Sequence, residues 1–181
     1  MMTTSLTQAQ LIDADTGSHV RLPSAPVIFT TPAETREQLL GITRSVSRQL
    51  AIWSTDLNAG QLEDPGFLEA IKRFVLSRRQ ARVRILTPQL PAQDQHKHAL
   101  LAMAERLPAS IEIRTASHPG LDASELLLAD DRGIYYRIHI DRWDGMADQH
   151  DPMVARFYLA QFNSAWRTGA AGSTPEHLDS I

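Results

Sequence analysis

Glu125-Leu-Leu-Leu-Ala-Asp-Asp-Arg-Gly-Ile-Tyr-Tyr-Arg-Ile-His-Ile140 decides the fold. Leu126 to Ala129 is a solid apolar run, as expected of a strand buried on both faces. Residues 134–140 alternate in the pattern of a second strand. Asp130-Asp-Arg-Gly133 between them reads as a hairpin turn, with Gly133 at the position needing positive φ.

Upstream, Arg82-Val-Arg-Ile-Leu-Thr87 alternates with Val83 and Ile85 on one face. Ile111-Glu-Ile-Arg-Thr115 alternates likewise, Leu50-Ala-Ile-Trp53 is a short apolar run, and a brief strand is expected over residues 27–29. Four helices fall around these strands. Thr31-Pro-Ala-Glu34 is a capping box with Pro at the first helical position, followed by Leu39, Ile42, Thr43, Val46 and Leu50 at helical spacing. Asp64-Pro65 opens a second helix with the stripe Phe67, Leu68, Ile71, Phe74 and Val75. A third is expected from Asp94 to Leu107, stopped by Pro108. A fourth starts at Asp151-Pro152, buries Val154, Phe157, Tyr158, Phe162, Ala165 and Trp166, and ends at Gly169. The order α-β-α-β-α-β-β-β-α implies an α/β fold. Its sheet is expected to be mixed and mostly parallel, with helices on its faces and a C-terminal β-hairpin plus helix. Residues 1–25 read as a partly ordered arm, with strands at 10–12 and 19–22 around Asp13–Gly17. Residues 26–168 read as the domain, and 169–181 as a flexible tail.

Composition narrows the chemistry. The 181 residues carry 18 basic and 21 acidic groups, a net charge of −3, so no global positive field is present. There is no cysteine, which excludes disulfides, thiolate metal sites and a thiol nucleophile. No apolar run is long enough for a membrane span. Residues 1–16 lack the basic and apolar regions of a secretory signal, and the cytoplasm is the expected location. Lys72 and Lys97 are the only lysines; the other sixteen basic residues are arginine. The pairs that mark dinucleotide folds and phosphate-binding loops (Gly-x-Gly, Gly-Lys) are absent, as are the Gly-x-Ser-x-Gly elbow and the His-Glu-x-x-His helix.

The order and spacing over residues 31–168 resemble one half of the phospholipase D-like fold. The resemblance rests on the polar tip Trp53-Ser-Thr-Asp56, on Val83-Arg-Ile-Leu86, on Ile111-Glu-Ile-Arg114, on the hairpin from Glu125 to Gly133, and on Phe162-Asn-Ser-Ala-Trp166. His98-Ala-Leu-Leu, Ala104-Glu-Arg-Leu-Pro108 and Ile111-Glu-Ile-Arg114 are similar to an uncharacterised proteobacterial branch of that fold, found alone or after an acetyltransferase domain. The active family uses His-x-Lys followed by an Asp: a nucleophile on phosphorus, a phosphate clamp, and a group orienting the His. With Asp130 at the Asp position, the Lys position holds Glu125 and the His position Ala123. No His-x-Lys occurs anywhere in the chain. Eight acids between Asp122 and Asp151, offset by Arg132, Arg137 and Arg142, also disfavour phosphate there. The resemblance therefore implies a degenerate active site without cofactor or metal, and a non-catalytic binding or accessory module. The family's pairing of two halves implies a homodimer; another protein is the other expected partner, and no membrane is expected.

Other residues keep alternatives open. A pocket is expected where strand tips meet the hairpin, at Ser54, Asp56, Thr87, Glu125 and Asp130. A hydrolase or phosphodiesterase with a rebuilt site would use His96, His98 and the acidic cluster Asp141, Asp144, Asp148, His150 and Asp151. Side chains two apart on a helix do not share a face, so His96 and His98 chelate poorly there. The acidic spacing matches no calcium loop, and Asp151 serves as a helix cap. Lys72, Arg73, Arg78, Arg79, Arg82 and Arg84 form a basic run that reads either as an anion-binding patch for nucleic acid or as neutralisation of a helix C-terminus. Trp53, Trp143 and Trp166 read as core or interface anchors.

Overall fold

The computed structural model describes residues 25–57, 60–90, 98–117 and 124–171. The strands expected at 10–12 and 19–22, together with His96, Ala123 and most of both termini, lie outside them. The elements are β1 (Val27–Phe29), α1 (Pro32–Ser45), β2 (Gln49–Ser54), α2 (Pro65–Ser77), β3 (Arg82–Thr87), α3 (Ala99–Arg106), β4 (Ile111–Thr115), β5 (Glu125–Ala129), β6 (Gly133–Arg137), β7 (Gly145–Asp148), α4 (Pro152–Thr168) and β8 (Ala170–Ala171).

Capping chemistry starts the helices. Thr31 and Glu34 form the reciprocal capping box of α1, and the Asp64 and Asp151 side chains accept from Phe67 N and Val154 N. Of the helix expected from Asp94, residues 94–97 lie outside the described residues, and the described helix runs from Ala99 to Arg106. His98 is its N-cap, with the ring accepting from Leu100 N.

One sheet runs in the order β1-β7-β6-β5-β2-β3-β4-β8. The mostly parallel expectation is corrected: only β2–β3 and β3–β4 are parallel, and the remaining adjacent pairs are antiparallel. The cause is the hairpin. β5 lies antiparallel against β2, and the chain then returns as β6, β7 and, from the N-terminal side, β1. The strand expected over 134–140 ends at Arg137, because the Arg137 side chain donates to the carbonyls of Ile140 and Arg142 and bends the chain out of the sheet. A further strand, β7, follows within what reads as an acidic loop.

The turn also differs from expectation. Gly133 does not take positive φ; Asp130 does, at 56°, a region open to Asp because its short side chain bonds locally. Gly133 is required by space, since a Cβ there would sit 3.0 Å from that of Ala129.

α1, α2 and α3 cover one face, where Phe29, Leu39, Ile42, Phe67, Ile71, Ile85, Leu127 and Tyr135 cluster. α4 alone covers the other, over Trp53, Leu86, Leu126, Leu128, Phe162 and Trp166. Phe157, expected inside, is 62% exposed, and Ala155 is buried in its stead. α4 is thus turned so that Phe162 and Trp166 stack on each other at 5.7 Å against the sheet. The expected tail begins as structure: Ala170 and Ala171 pair with Thr115 and Arg114.

Candidate functional site

Parity along the strands builds a polar row above the larger core. Residues 50, 52 and 54 of β2, 83, 85 and 87 of β3, and 125, 127 and 129 of β5 face α1–α3. Ser54 pairs with Glu125, Glu125 with Arg137, and Thr87 with Thr115. Ser54, Thr87, Glu125 and Arg137 are all buried and lie at the C-terminal ends of the parallel strands. Open α/β sheets hold ligands along that edge.

Two of these groups serve the loops that follow them. Ser54 Oγ donates to the carbonyl of Asp56 at 2.9 Å, and Thr87 Oγ1 to that of Gln89 at 2.9 Å. Neither hydroxyl has a base beside it in the hydrogen bonds it makes, so neither is arranged as a nucleophile.

Glu125 is the centre of the row. Its Oε1 lies 3.5 Å from Arg137 Nη1, with both side chains almost wholly inaccessible. Burial pushes the Glu125 carboxyl up, and the Arg137 charge opposes the shift. Its Oε2 is buried without a hydrogen-bond partner, as is Gln61 Nε2. The Tyr135 hydroxyl donates to Gln61 Oε1 at 3.1 Å, and burial pushes its phenol up, with the Glu125 charge adding to the rise. Arg137 spends its other donors on the loop after β6: Nε reaches the Arg142 carbonyl at 3.0 Å, Nη2 the Ile140 carbonyl at 2.6 Å, and the guanidinium lies over Trp143 at 5.4 Å. A guanidinium so engaged ties the loop down and offers no planar fork to an incoming phosphate.

Asp130 does not belong to this row. It sits at the other end of β5, where its carboxylate accepts from the backbone amides of Ser47, Arg48 and Gln49 at 2.9, 2.7 and 3.0 Å. It fixes the start of β2. The expected pocket therefore separates: Ser54, Thr87 and Glu125 share one edge of the sheet, with Asp56 just beyond Ser54, and Asp130 occupies the opposite edge.

His98 is a structural histidine. Its Nδ1 accepts from Leu100 N at 3.2 Å, and its Nε2 contacts the carbonyl of Leu57, with Glu63 at 3.8 Å. Both ring nitrogens are engaged with backbone groups and hold the loop against the helix, while His96, its expected companion in a rebuilt site, lies outside the described residues. The acidic cluster is dispersed as well. Asp144 pairs with Arg142 at 2.7 Å, Asp148 is buried and accepts from His150 N, and Asp151 caps α4. Among the described residues no three metal-ligating side chains converge.

The basic run also divides. Arg84 lies under α4 on the far face, over Phe162 and Trp166 at 5.1 and 5.3 Å. Arg73 and Arg78 line a groove between α1 and α2 of ≈ 330 Å³ together with Arg44 and Glu69, and Lys72 is exposed outside that lining. Arg79 and Arg82 lie in and just beyond the turn into β3.

Arg137, Tyr135 and Gln61 were not singled out from sequence. The usable signal is parity: Arg137 stands opposite Glu125 once the turn at Asp130–Gly133 fixes the hairpin register.

Comparisons with known proteins agree with this architecture. A family model described as "Domain of unknown function (DUF7931)" matches residues 31–176. No curated protein matches the chain. Among solved structures, the phospholipase D family member Nuc from Salmonella typhimurium is similar at a TM-score of 0.56 and 14% identity, covering 81% of this chain and 97% of that one. NucT from Helicobacter pylori gives 0.53 and 10%, covering 81% and 98%. TrmBL2, described as an archaeal chromatin protein with a novel mode of DNA binding, gives 0.60 and 13%, covering 88% of this chain and 57% of its own. At these identities the likeness establishes a phospholipase D-like fold and no activity.

Proposed function

The chain belongs to the DUF7931 family, and from that premise we propose that it is a non-catalytic binding or accessory module built on a phospholipase D-like scaffold. The observation that carries this reading is Glu125. It stands where the resemblance calls for the phosphate-holding Lys, it is fully buried, and it is paired with Arg137 rather than open to a ligand. A carboxylate at that point repels phosphate, and its guanidinium partner is consumed by backbone carbonyls. The His position is Ala123, which has no nucleophilic atom.

The alternative, a hydrolase with a rebuilt site, finds little support in His98, whose ring is committed to the backbone. The test is direct. With a generic nitrophenyl phosphodiester, with and without added divalent metal, the protein should release nitrophenol no faster than buffer. Turnover above that background that disappears in Glu125→Gln would sink the non-catalytic reading.

The partner is a second copy of the chain, another protein, or nucleic acid. Surface apolar residues support a protein partner: Ile28, Met153 and Phe157 are 67%, 79% and 62% exposed on the α4 side of the molecule. A monomer at every concentration in sedimentation would remove the second copy. Nucleic acid is favoured by the arginines gathered at one sheet edge, and the likeness to a DNA-binding chromatin protein points the same way. No described helix is long and apolar enough to cross a membrane.

A further inference from the structure

The edge of the sheet opposite Glu125 is where distant parts of the chain bring their arginines together. Three turns meet there: residues 46–49 entering β2, 78–82 entering β3, and the hairpin 130–132. Contacts among them are direct. Arg78 Nη1 donates to the carbonyls of Val46 and Ser47 at 2.6 and 3.1 Å. Arg82 N donates to the Arg48 carbonyl at 2.9 Å. Arg132 Nη2 reaches Ser47 Oγ at 3.3 Å and lies 3.7 Å from Asp130. Arg44 joins Arg73 and Arg78 in the adjoining groove.

The charge at this edge does not cancel. Arg73, Arg132 and Arg156 pair with Glu69, Asp130 and Asp131, Arg44, Arg48, Arg78, Arg79 and Arg82 pair with no described carboxylate, and Asp148 and Asp151 end at the same side of the sheet, so eight guanidiniums face five carboxylates and three positive charges are left over. The C-termini of α1 and α2 point at the same edge, but each carries only about −0.5 charge. That removes roughly one of the three, and the N-terminus of α4 at the same edge restores about half of it. Arg44, Arg48, Arg79 and Arg82 are exposed and form no ion pair among the described residues. An excess that the molecule does not neutralise itself, in a chain of net charge −3, calls for an external anion.

We propose that this edge docks the phosphate backbone of duplex nucleic acid. The proposal rests on reading the protein as a binding module, and it puts the partner on the side away from the degenerate catalytic position. Three features select the duplex. The cations are arginines, whose planar forks match phosphate oxygens. Phe74 is buried, and the exposed aromatic beside them, Phe157 next to Arg156 on α4, stands alone among the described residues there, so a single strand would find one stacking contact rather than a platform. Of the exposed large apolar side chains, Leu76 on α2 and Met153 and Phe157 on α4 lie near the cluster but on opposite faces of the sheet, so they form no single apolar strip to anchor a lipid surface. The dimensions agree. Strand ends from the hairpin through β2 to β3 cover roughly 15 Å at about 4.8 Å per strand. A duplex presents roughly nine charges over that length, at one per about 1.7 Å.

The experiment is fluorescence polarisation of the whole protein with a labelled random-sequence DNA duplex. With the four exposed, unpaired arginines each meeting a phosphate, log affinity should fall with log salt at a slope of roughly −3.6, a loss on the order of a hundredfold between about 50 and about 200 mM. Arg48→Glu with Arg82→Glu should lower affinity more than tenfold at low salt and flatten the slope by about two. Lys72→Glu, in the same sequence run but outside the groove lining, should change it far less. Should the first pair fail to fold by thermal melt, Arg44→Glu with Arg79→Glu serves, since neither side chain makes a described bond. Absent binding at low salt, equal binding by the charge-reversed pair, or an equal loss in Lys72→Glu would each overturn the proposal. Tighter binding to polyglutamate or to anionic vesicles than to the duplex would overturn the assignment to nucleic acid. The phosphodiester assay is unaffected by any of these results, so the two readings fail separately.

Discussion

Glu125 and Arg137 are a charge pair with almost no solvent around it, and such a pair has two opposite properties. Desolvation costs several kcal/mol per ion, so the pair adds little net stability, yet removing one member strands the other. Glu125→Ala should therefore destabilise the fold by about 3–5 kcal/mol, because the Arg137 charge is left buried with carbonyls alone. The double variant Glu125→Leu/Arg137→Met should recover much of that loss, falling well short of the sum of the singles. Urea unfolding of the four proteins checks this, and additive losses would show that the two side chains act independently. The pH dependence has a fixed sign. Burial raises the Glu125 carboxyl above its ordinary value of 4.5, so the folded state holds the proton longer than the unfolded chain. Its contribution is whole below 4.5 and declines as pH rises toward the raised folded value. Asp130, one strand-length away, serves a different purpose. Three amide donors and a left-handed backbone make it a staple for β2. Sequence spacing alone assigned it to the same site as Glu125, because a motif gives separation along the chain and not which end of the strand each residue occupies.

At the scale of elements, the legible parts were those with local causes. Pro after Thr31, Asp64 and Asp151 marked three helix starts, and the structure begins each helix there. β3 and β4 were legible from alternation. The misread parts had causes distant in sequence. β7 is Gly-Met-Ala-Asp, with no strand pattern of its own, and it exists because β6 and β1 flank it. The bend after Arg137 depends on a side chain reaching forward to Ile140 and Arg142. α4 exposes Phe157 and lays Phe162 and Trp166 over Arg84, a residue far upstream in the sequence. Local causes also yield a local test. Asp64 caps α2, and its carboxylate takes a 2.7 Å contact from Arg36 on α1. The Arg36 hydrogen bond holds its carboxyl below the ordinary 3.8. An acid lowered in the folded state stabilises above its unfolded value, and that stability is lost as pH falls through the folded value. Asp64→Ala should cost about 1–2 kcal/mol at neutral pH and shrink the difference from the parent protein as pH drops below 3.8. Thermal melts across that range measure it, and an unchanged gap at low pH would remove Asp64 from the acid response.

The whole molecule is one sheet between unequal layers, and its boundary is set by pairing rather than by composition. Hydropathy placed the end of the domain at residue 168, where polar and glycine-rich sequence begins. The backbone goes further: Gly169 N donates to Ala165 O, and Ala170 and Ala171 then pair with the last two residues of β4. β4 would otherwise be an edge strand with Arg114 and Thr115 unpaired on that side. The register also helps hold Arg114, which donates to the Trp166 carbonyl at 2.9 Å and lies over the Trp166 ring at 4.6 Å. Trp166 in turn closes the α4 side of the core. We therefore propose residues 25–171 as the cooperative unit. A fragment of those residues should unfold in a single urea transition within about 1 kcal/mol of the full chain, since both apolar clusters lie inside it. A fragment ending at 168 should lose a further 1–2 kcal/mol or so, the worth of two or so ladder hydrogen bonds and a loosened Trp166. The order of stability, full chain and 25–171 together and 25–168 below them, is the result expected. Equal stability of the two fragments would mean that β8 adds nothing and that the domain ends where hydropathy put it. A large loss already in 25–171 would mean that residues outside the sheet hold it together.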